Sequence, residues 1–295
     1  MTLFINNDVV AQVLTMTDTI AALEKSYHQL VRSQSVCRPR VDIQIPTPEE
    51  DKIYQWGSME GGSTQGYFAI RMKSDVIFEE SYNGVVTQDK YCTRPGMYCG
   101  LILLTSTENG EPLAFINDGV LQHMRVGGDG GIGTKYMSRE NSETVGMLGS
   151  GGMARTHMDA IMCVRDIKKL QVFSPTPANR EAFAEEMRAK YGLEVTVCDN
   201  PRDVYRGADI VAGVTDSAVP VLNGEWVEPG THIINVGGGG GKPDQATLDK
   251  VDVYFRFGDA PGPWGEPDME LGDEYITYAA QPEFNSNFKM KRSGK

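Results

Sequence analysis

The run T-V-G-M-L-G-S-G-G-M-A-R, from Thr144 to Arg155, constrains this chain more than any other. Val145, Met147 and Leu148 make a short apolar stretch of the kind that forms a buried strand. The stretch stops at Gly149, Gly151 follows, and Ala154 takes the last small position of a G-x-G-x-x-G/A spacing. Each position has a physical reason: a tight turn, a close approach of backbone to a pyrophosphate, and a helix packed tightly on the sheet. The helix start leaves unpaired N–H groups and the positive end of a dipole facing the phosphates. Glycine is common here, 33 of 295 residues, so the spacing gains weight only from its setting. That setting is present. Met153 to Val164 reads as a helix, and Lys169–Ser174 as a second strand.

The α/β rhythm then continues. P-A-N-R-E-A-F-A-E-E-M-R-A-K is helical and E-V-T-V-C a strand. P-R-D-V-Y-R-G is a short helix, and I-V-A-G-V-T, H-I-I-N-V-G and D-V-Y-F-R-F-G are further strands. Such alternation predicts a doubly wound parallel sheet with right-handed crossovers. The cofactor-binding candidates are Gly149, Gly151, Gly152 and Met153 at the turn, then Ser174, Thr176 and Arg180 after the second strand. Thr215 and Val236, at the ends of two later strands, complete the set. An NAD site places an acidic residue at the end of the second strand to accept from the ribose 2′-hydroxyl. Ser174 stands there instead, with Thr176, Asn179 and Arg180 able to donate to an anion. NADP is therefore expected in preference to NAD. The plain alternative is a serine and proline turn with Arg180 solvated.

The first part of the chain has another character. Thr17 and Asp18 can cap a helix with apolar positions at Ile20, Leu23, Tyr27, Leu30 and Val31. His28 on that helix reads as a packing or surface residue. Strand-like runs follow at 41–45, 52–56, 67–76, 101–106 and 112–117, the last two flanking Asn109-Gly110, a strong hairpin signal. A helix pair and a mostly antiparallel sheet thus precede the nucleotide unit. We expect one domain over 1–122 and a dinucleotide-binding domain over 123–261, with 262–295 returning to the first or ending as a loose tail. Five glycines between 127 and 133 would each cost up to ~1 kcal/mol inside a helix. That segment is expected to be partly unwound, or to let backbone pass close to cofactor or substrate.

A net charge of −12 argues against nucleic-acid or anionic-membrane surfaces. Five cysteines without a C-x-x-C pair, no basic leader and no long apolar run suggest a soluble cytoplasmic protein. No metal site is expected.

Several segments together resemble the ornithine cyclodeaminase and mu-crystallin family, which includes alanine dehydrogenases and ketimine reductases. They are R-P-R at 38–40, A-I-R-M-K-S-D at 69–75, N-G-E-P-L-A at 109–114 and M-R-V-G at 124–127. G-T-K-Y-M at 133–137, the fingerprint at 145–157, R-G-A-D-I-V at 206–211 and N-G-E-W-V-E-P-G-T-H at 223–232 continue the series. The resemblance covers roughly residues 1 to 260. It implies a Rossmann domain joined to an N-terminal α+β sheet domain that forms a homodimer, with the active site between them. It implies that Arg40 and Arg125 hold a substrate carboxylate, Arg125 also lying near the cofactor phosphates. The family's active-site lysine aligns with Arg71. Lys73, two residues on and on the same strand face, is our choice as proton donor or imine-polarising group, since lysine shifts its pKa on desolvation and arginine does not. The family's catalytic aspartate, in a G-x-D context, aligns with Gly239, which puts the full cyclodeaminase cycle in doubt. Asp75 and Asp129 are replacement acids by type, though each reads as a solvated or capping residue.

The expected activity is that of an NAD(P)-dependent oxidoreductase reducing a small imino or 2-oxo acid to the amino acid. Two alternatives are a crystallin-like NADP-binding protein with little turnover and a cyclodeaminase-type lyase.

Overall fold

The computed structural model describes residues 1–255 apart from Ser33, 38–40, Asn83, 92–98 and 237–242. Arg40, Gly239, residues 256–258 of the last expected strand and the tail lie outside the described residues. The elements, in chain order, begin β1 (Leu3–Ile5), α1 (Asn7–Val13), α2 (Met16–Val31), β2 (Ser35–Cys37) and β3 (Val41–Pro46). There follow β4 (Lys52–Ser63), β5 (Tyr67–Tyr82), β6 (Val85–Tyr91), β7 (Gly100–Ser106), β8 (Pro112–Asn117) and α3 (Asp118–Met137). The second half holds β9 (Thr144–Leu148), α4 (Gly152–Val164), β10 (Lys169–Phe173), α5 (Pro177–Tyr191), β11 (Glu194–Val197), β12 (Ile210–Val214), β13 (His232–Val236) and α6 (Gln245–Lys250).

Among the described residues two sheets form. The second, in order β11-β10-β9-β12-β13 and parallel throughout, is the doubly wound sheet that the alternation implied. Its strand order reverses between β9 and β12, where ligands of such folds bind. Its core is apolar: Val145, Met147, Leu170, Val172, Ile210 and Ala212 are buried against Met158, Ile161, Phe183 and Met187 of the flanking helices. The expected strand near Asp252 is absent over 252–255, and P-R-D-V-Y forms a 3₁₀ turn, Pro201–Tyr205.

The first sheet has eight strands and runs β1-β8-β7-β5-β4-β2, with β3 also on β4 and β6 also on β5. Only β1, on β8, is parallel among its pairings; the others are antiparallel. The Asn109-Gly110 hairpin joins β7 and β8, with Gly110 at φ +76°. The helix cap is Thr15 rather than Thr17 or Asp18. Its hydroxyl accepts from the Asp18 N–H at 3.1 Å and donates to the Asp18 carboxylate at 2.6 Å, a reciprocal cap one turn earlier than expected. No helix among the described residues is long and apolar enough to cross a membrane.

The glycine-rich segment corrects the sequence reading. It is not unwound, and its glycines serve helix packing. α3 runs unbroken from Asp118 to Met137, linking the two sheets. A Cβ on Gly127 would lie 2.6 Å from the Thr156 carbonyl oxygen, one on Gly130 2.6 Å from the His157 ring, and one on Gly131 2.9 Å from Ala160. On the other flank, a Cβ on Gly128 would lie 2.7 Å from Leu23 of α2. The glycines let α2 and α4 close on α3 from both sides, and packing offsets their poor helix propensity.

His157, on α4, is fully buried in this contact. Its Nδ1–H donates to the Met153 carbonyl at 2.7 Å, and Nε2 has no partner among the described residues. Burial pulls its pKa from 6.5 down to about 4, and His232 is likewise pulled to about 4, by burial and then by Arg165. Below pH 6.5 the unfolded chain therefore binds protons that the native fold refuses, so stability present above that pH is lost as pH falls toward 4. The loss from His157 is on the order of 3 kcal/mol. Urea midpoints across this window should fall, and His157→Leu should flatten the slope; an unchanged slope would contradict the assignment.

Candidate active site

The fingerprint turn stands at the carboxyl ends of the strands. Gly149 has φ +121°, and a Cβ there would lie 2.1 Å from the Val214 carbonyl oxygen, so glycine is required. Its N–H donates to the Phe173 carbonyl at 2.9 Å. Gly151 is the N-cap of α4, and a Cβ added to it meets no atom of the described residues within 4 Å. The turn is thus backed by strand and open in front, a fit for the pyrophosphate of a dinucleotide. Arg155 fixes the turn from behind: its Nη1 donates to the carbonyls of Ser150 and Gly151, at 2.7 and 3.2 Å, while Nε pairs with Glu186 at 2.7 Å. Ala154 is fully buried, as close helix–sheet packing needs.

Ser174, Thr215 and Val236 lie along the same edge, at or just past the ends of β10, β12 and β13. Met153 opens the first turn of α4 and packs on the core. Ser174 is buried and accepts from the Ser150 hydroxyl at 2.9 Å, tying the turn to the end of β10. Thr176 caps α5 without a side-chain cap bond. Arg180 folds inward over the Phe173 ring, donating to the Ser174 carbonyl at 3.3 Å and to Asp199 at 2.5 Å, instead of standing in solvent.

β5 carries the second set of candidate residues. Arg71, Lys73 and Asp75 alternate onto one face of a strand held between β4 and β7, not at an edge. Arg71 donates through Nε and Nη2 to one oxygen of Asp118, at 2.7 and 2.6 Å, and through Nη1 to the Met59 sulfur at 3.3 Å. Lys73 Nζ lies 2.6 Å from Asp75 Oδ2, with both side chains buried. The other Asp75 oxygen has no hydrogen-bond partner among the described residues. Gly100 makes the first pairing feasible, since a Cβ there would lie 3.0 Å from Asp118 Oδ2.

α3 starts beside β5, with Asp118 on Arg71, and carries Asp118, Gln122, Arg125 and Asp129 at helical spacing along one stripe. Arg125 donates through Nε and Nη2 to Gln122 Oε1 at 3.1 and 2.8 Å. Burial, and next the positive Arg71, weaken its hold on its proton, while Asp129 and Asp118 oppose them. Tyr27, read from sequence as a core position, donates its hydroxyl to Asp129 at 2.6 Å. Burial and then the Asp129 charge push the Tyr27 pKa up, and burial raises that of Asp129. Asp75 and Asp129 are therefore partnered and not solvated, contrary to the sequence expectation: in this setting a carboxylate needs a partner to be buried.

Sequence reasoning missed Asp118, Gln122, Tyr27 and His123. The signal for the first two was their four-three-four spacing with Arg125 and Asp129, hidden by distrust of a glycine-rich helix. His123, also on α3, abuts the fingerprint turn: a Cβ on Gly152 would lie 2.7 Å from its ring.

The sequence profile of the ornithine cyclodeaminase/mu-crystallin family matches residues 85–255. A Delta(1)-pyrroline-2-carboxylate reductase from Bacillus cereus is 34% identical over 138 residues, 47% of this chain and 42% of that protein. The ketimine reductase mu-crystallin of Rattus norvegicus is 32% identical over 148 residues, 50% of this chain and 45% of that protein. Each match thus spans less than half of the relative. Among solved structures, the Thermococcus litoralis Delta(1)-pyrroline-2-carboxylate reductase in complex with NADH and L-proline superimposes with a TM-score of 0.70 at 25% identity, over 84% of this chain and 74% of that one. With the family profile matched along the doubly wound sheet and its fingerprint turn, this chain belongs to the ornithine cyclodeaminase/mu-crystallin family.

Proposed function

We propose that the protein is an NAD(P)-dependent oxidoreductase that reduces the C=N bond of a small imino acid, or of the imine formed from a 2-oxo acid, to give the amino acid. The observation that carries this reading is the grouping of charges where β5 meets the start of α3: Arg71 is bonded to Asp118, Arg125 feels the Arg71 charge, and Lys73 lies on the same strand face as Arg71. A bound nicotinamide cofactor would supply the hydride. Arg125, with Arg40, grips the substrate carboxylate through its guanidinium fork. Lys73, paired with Asp75 at 2.6 Å, gives a proton to the substrate nitrogen. Arg71, immobilised by Asp118, sets a fixed positive charge beside the reacting bond. NADPH oxidation should be detectable with at least one member of a panel of cyclic ketimines and of 2-oxo acids offered with amines. Silence across the panel despite tight NADPH binding would favour the crystallin-like alternative. Gly239 in place of the family aspartate speaks against a lyase, which would form product without net cofactor oxidation.

No carboxylate ends β10, where Ser174 and Thr176 stand instead, which supports NADP over NAD. The KM for NADPH is expected to be the lower; a clear NADH preference would reverse the assignment.

The outward face of the first sheet supports a homodimer. Phe4, Ile43 and Ile45 are exposed there, beside the half-buried Ile70, Met72, Leu103 and Phe115 on the same face. Contiguous apolar surface of this kind marks an interface. Light scattering should report a dimer, and Ile45→Lys should shift it toward monomer.

A further inference from the structure

α3 and α4 run in step. Gly127 meets Thr156, Gly130 meets His157 and Gly131 meets Ala160, each time with a glycine of α3 giving way. One turn earlier the roles invert. The α3 residue is His123, and α4 yields with Gly152, where a Cβ would lie 2.7 Å from Cε1, 3.1 Å from Nδ1 and 3.5 Å from Nε2. The imidazole therefore rests against the first residue of α4, next to Gly151, where a Cβ would meet no atom of the described residues within 4 Å.

The charged groups around the ring come from several elements. Asp118 acts from its own helix and Asp216 from the segment after β12. Arg71 of β5 reaches the neighbourhood through Asp118, and Arg155 of α4 is turned away onto Glu186. Burial is the largest influence and lowers the imidazole pKa, while Asp216 and Asp118 raise it.

We propose that His123 is a binding residue for the cofactor pyrophosphate and takes up a proton from solvent when the dinucleotide binds. The proposal rests on the cofactor reading above. An imidazole beside the phosphate turn becomes a cation once a further negative group joins Asp216 and Asp118, and the new charge then meets the pyrophosphate together with the first N–H groups of α4. Affinity should accordingly strengthen as pH falls between the imidazole pKa of the complex and that of the free protein, and level off outside those limits.

Calorimetric titration of the full chain with NADH and with ADP-ribose, between about pH 6 and 8, tests this in buffers of different ionisation enthalpy. These probes avoid the 2′-phosphate of NADPH, which titrates in the same window with a pKa near ~6. The expected result is net proton uptake for both ligands, with Kd falling up to about tenfold for each unit by which binding raises the imidazole pKa. His123→Asn and His123→Gln should each abolish the uptake and leave Kd independent of pH. Absence of proton uptake by the wild-type protein would overturn the proposal, and so would uptake that survives in a variant that still binds. Absence of any dinucleotide binding at any pH would instead overturn the cofactor reading, and this inference with it.

Discussion

Lys73→Met is expected to lower kcat/KM by two to four orders of magnitude, the usual worth of a positioned proton donor. The substitution has a second effect that must be separated from the first. It strands Asp75, whose carboxylate is 1% exposed, without its cation. Breaking a buried pair from one side typically costs about 3–5 kcal/mol, because the remaining charge is uncompensated. Lys73→Met combined with Asp75→Asn removes that stranded charge. The double variant should recover most of the lost thermal stability while its turnover stays low. Recovery of both would make the pair a structural feature only. Full turnover by the folded single variant with every imine tested would remove Lys73 from the mechanism.

The second large effect comes from two neighbouring glycines that look alike in sequence. Gly149→Ala should destabilise the protein by about 3 kcal/mol, since it forces a side chain into left-handed backbone and against a carbonyl. The methyl carbon would sit 2.1 Å from the Val214 oxygen, so the end of β12 must move. Gly151→Ala should leave thermal stability nearly unchanged, because its Cβ meets no atom of the described residues within 4 Å. Its cost should appear in cofactor affinity, about 10- to 100-fold, as the methyl displaces a charge-assisted contact to phosphate. Melting curves and fluorescence titration with NADPH read the two quantities separately. If Gly151→Ala binds NADPH as tightly as wild type, the pyrophosphate does not lie on this turn.

The doubly wound sheet was legible because buried parallel strands write themselves as short apolar runs, and the fingerprint fixes where the first one ends. The seven-residue run from Ala69 to Asp75 likewise showed which side chains share a face. It did not show that Asp75 is interior, since Asp75 read as a solvated or capping residue until it is seen to be the partner of Lys73. α3 was misread for a reason local propensity cannot supply: its glycines are tolerated because Thr156, His157, Ala160 and Leu23 come from elsewhere in the chain to meet them. The inward turn of Arg180 depends on Asp199, which lies just past β11, and no pattern around Ser174 announces that.

α3 carries cleft side chains toward β5 while its glycines lock it to the dinucleotide half. It behaves as a shared keel: a disturbance at its seam with α4 has no way to stay on one side. Coarsening that seam, for instance with Gly127→Val, should loosen the grip on coenzyme and on small acid in the same proportion, where an ordinary pocket variant would weaken only one of them.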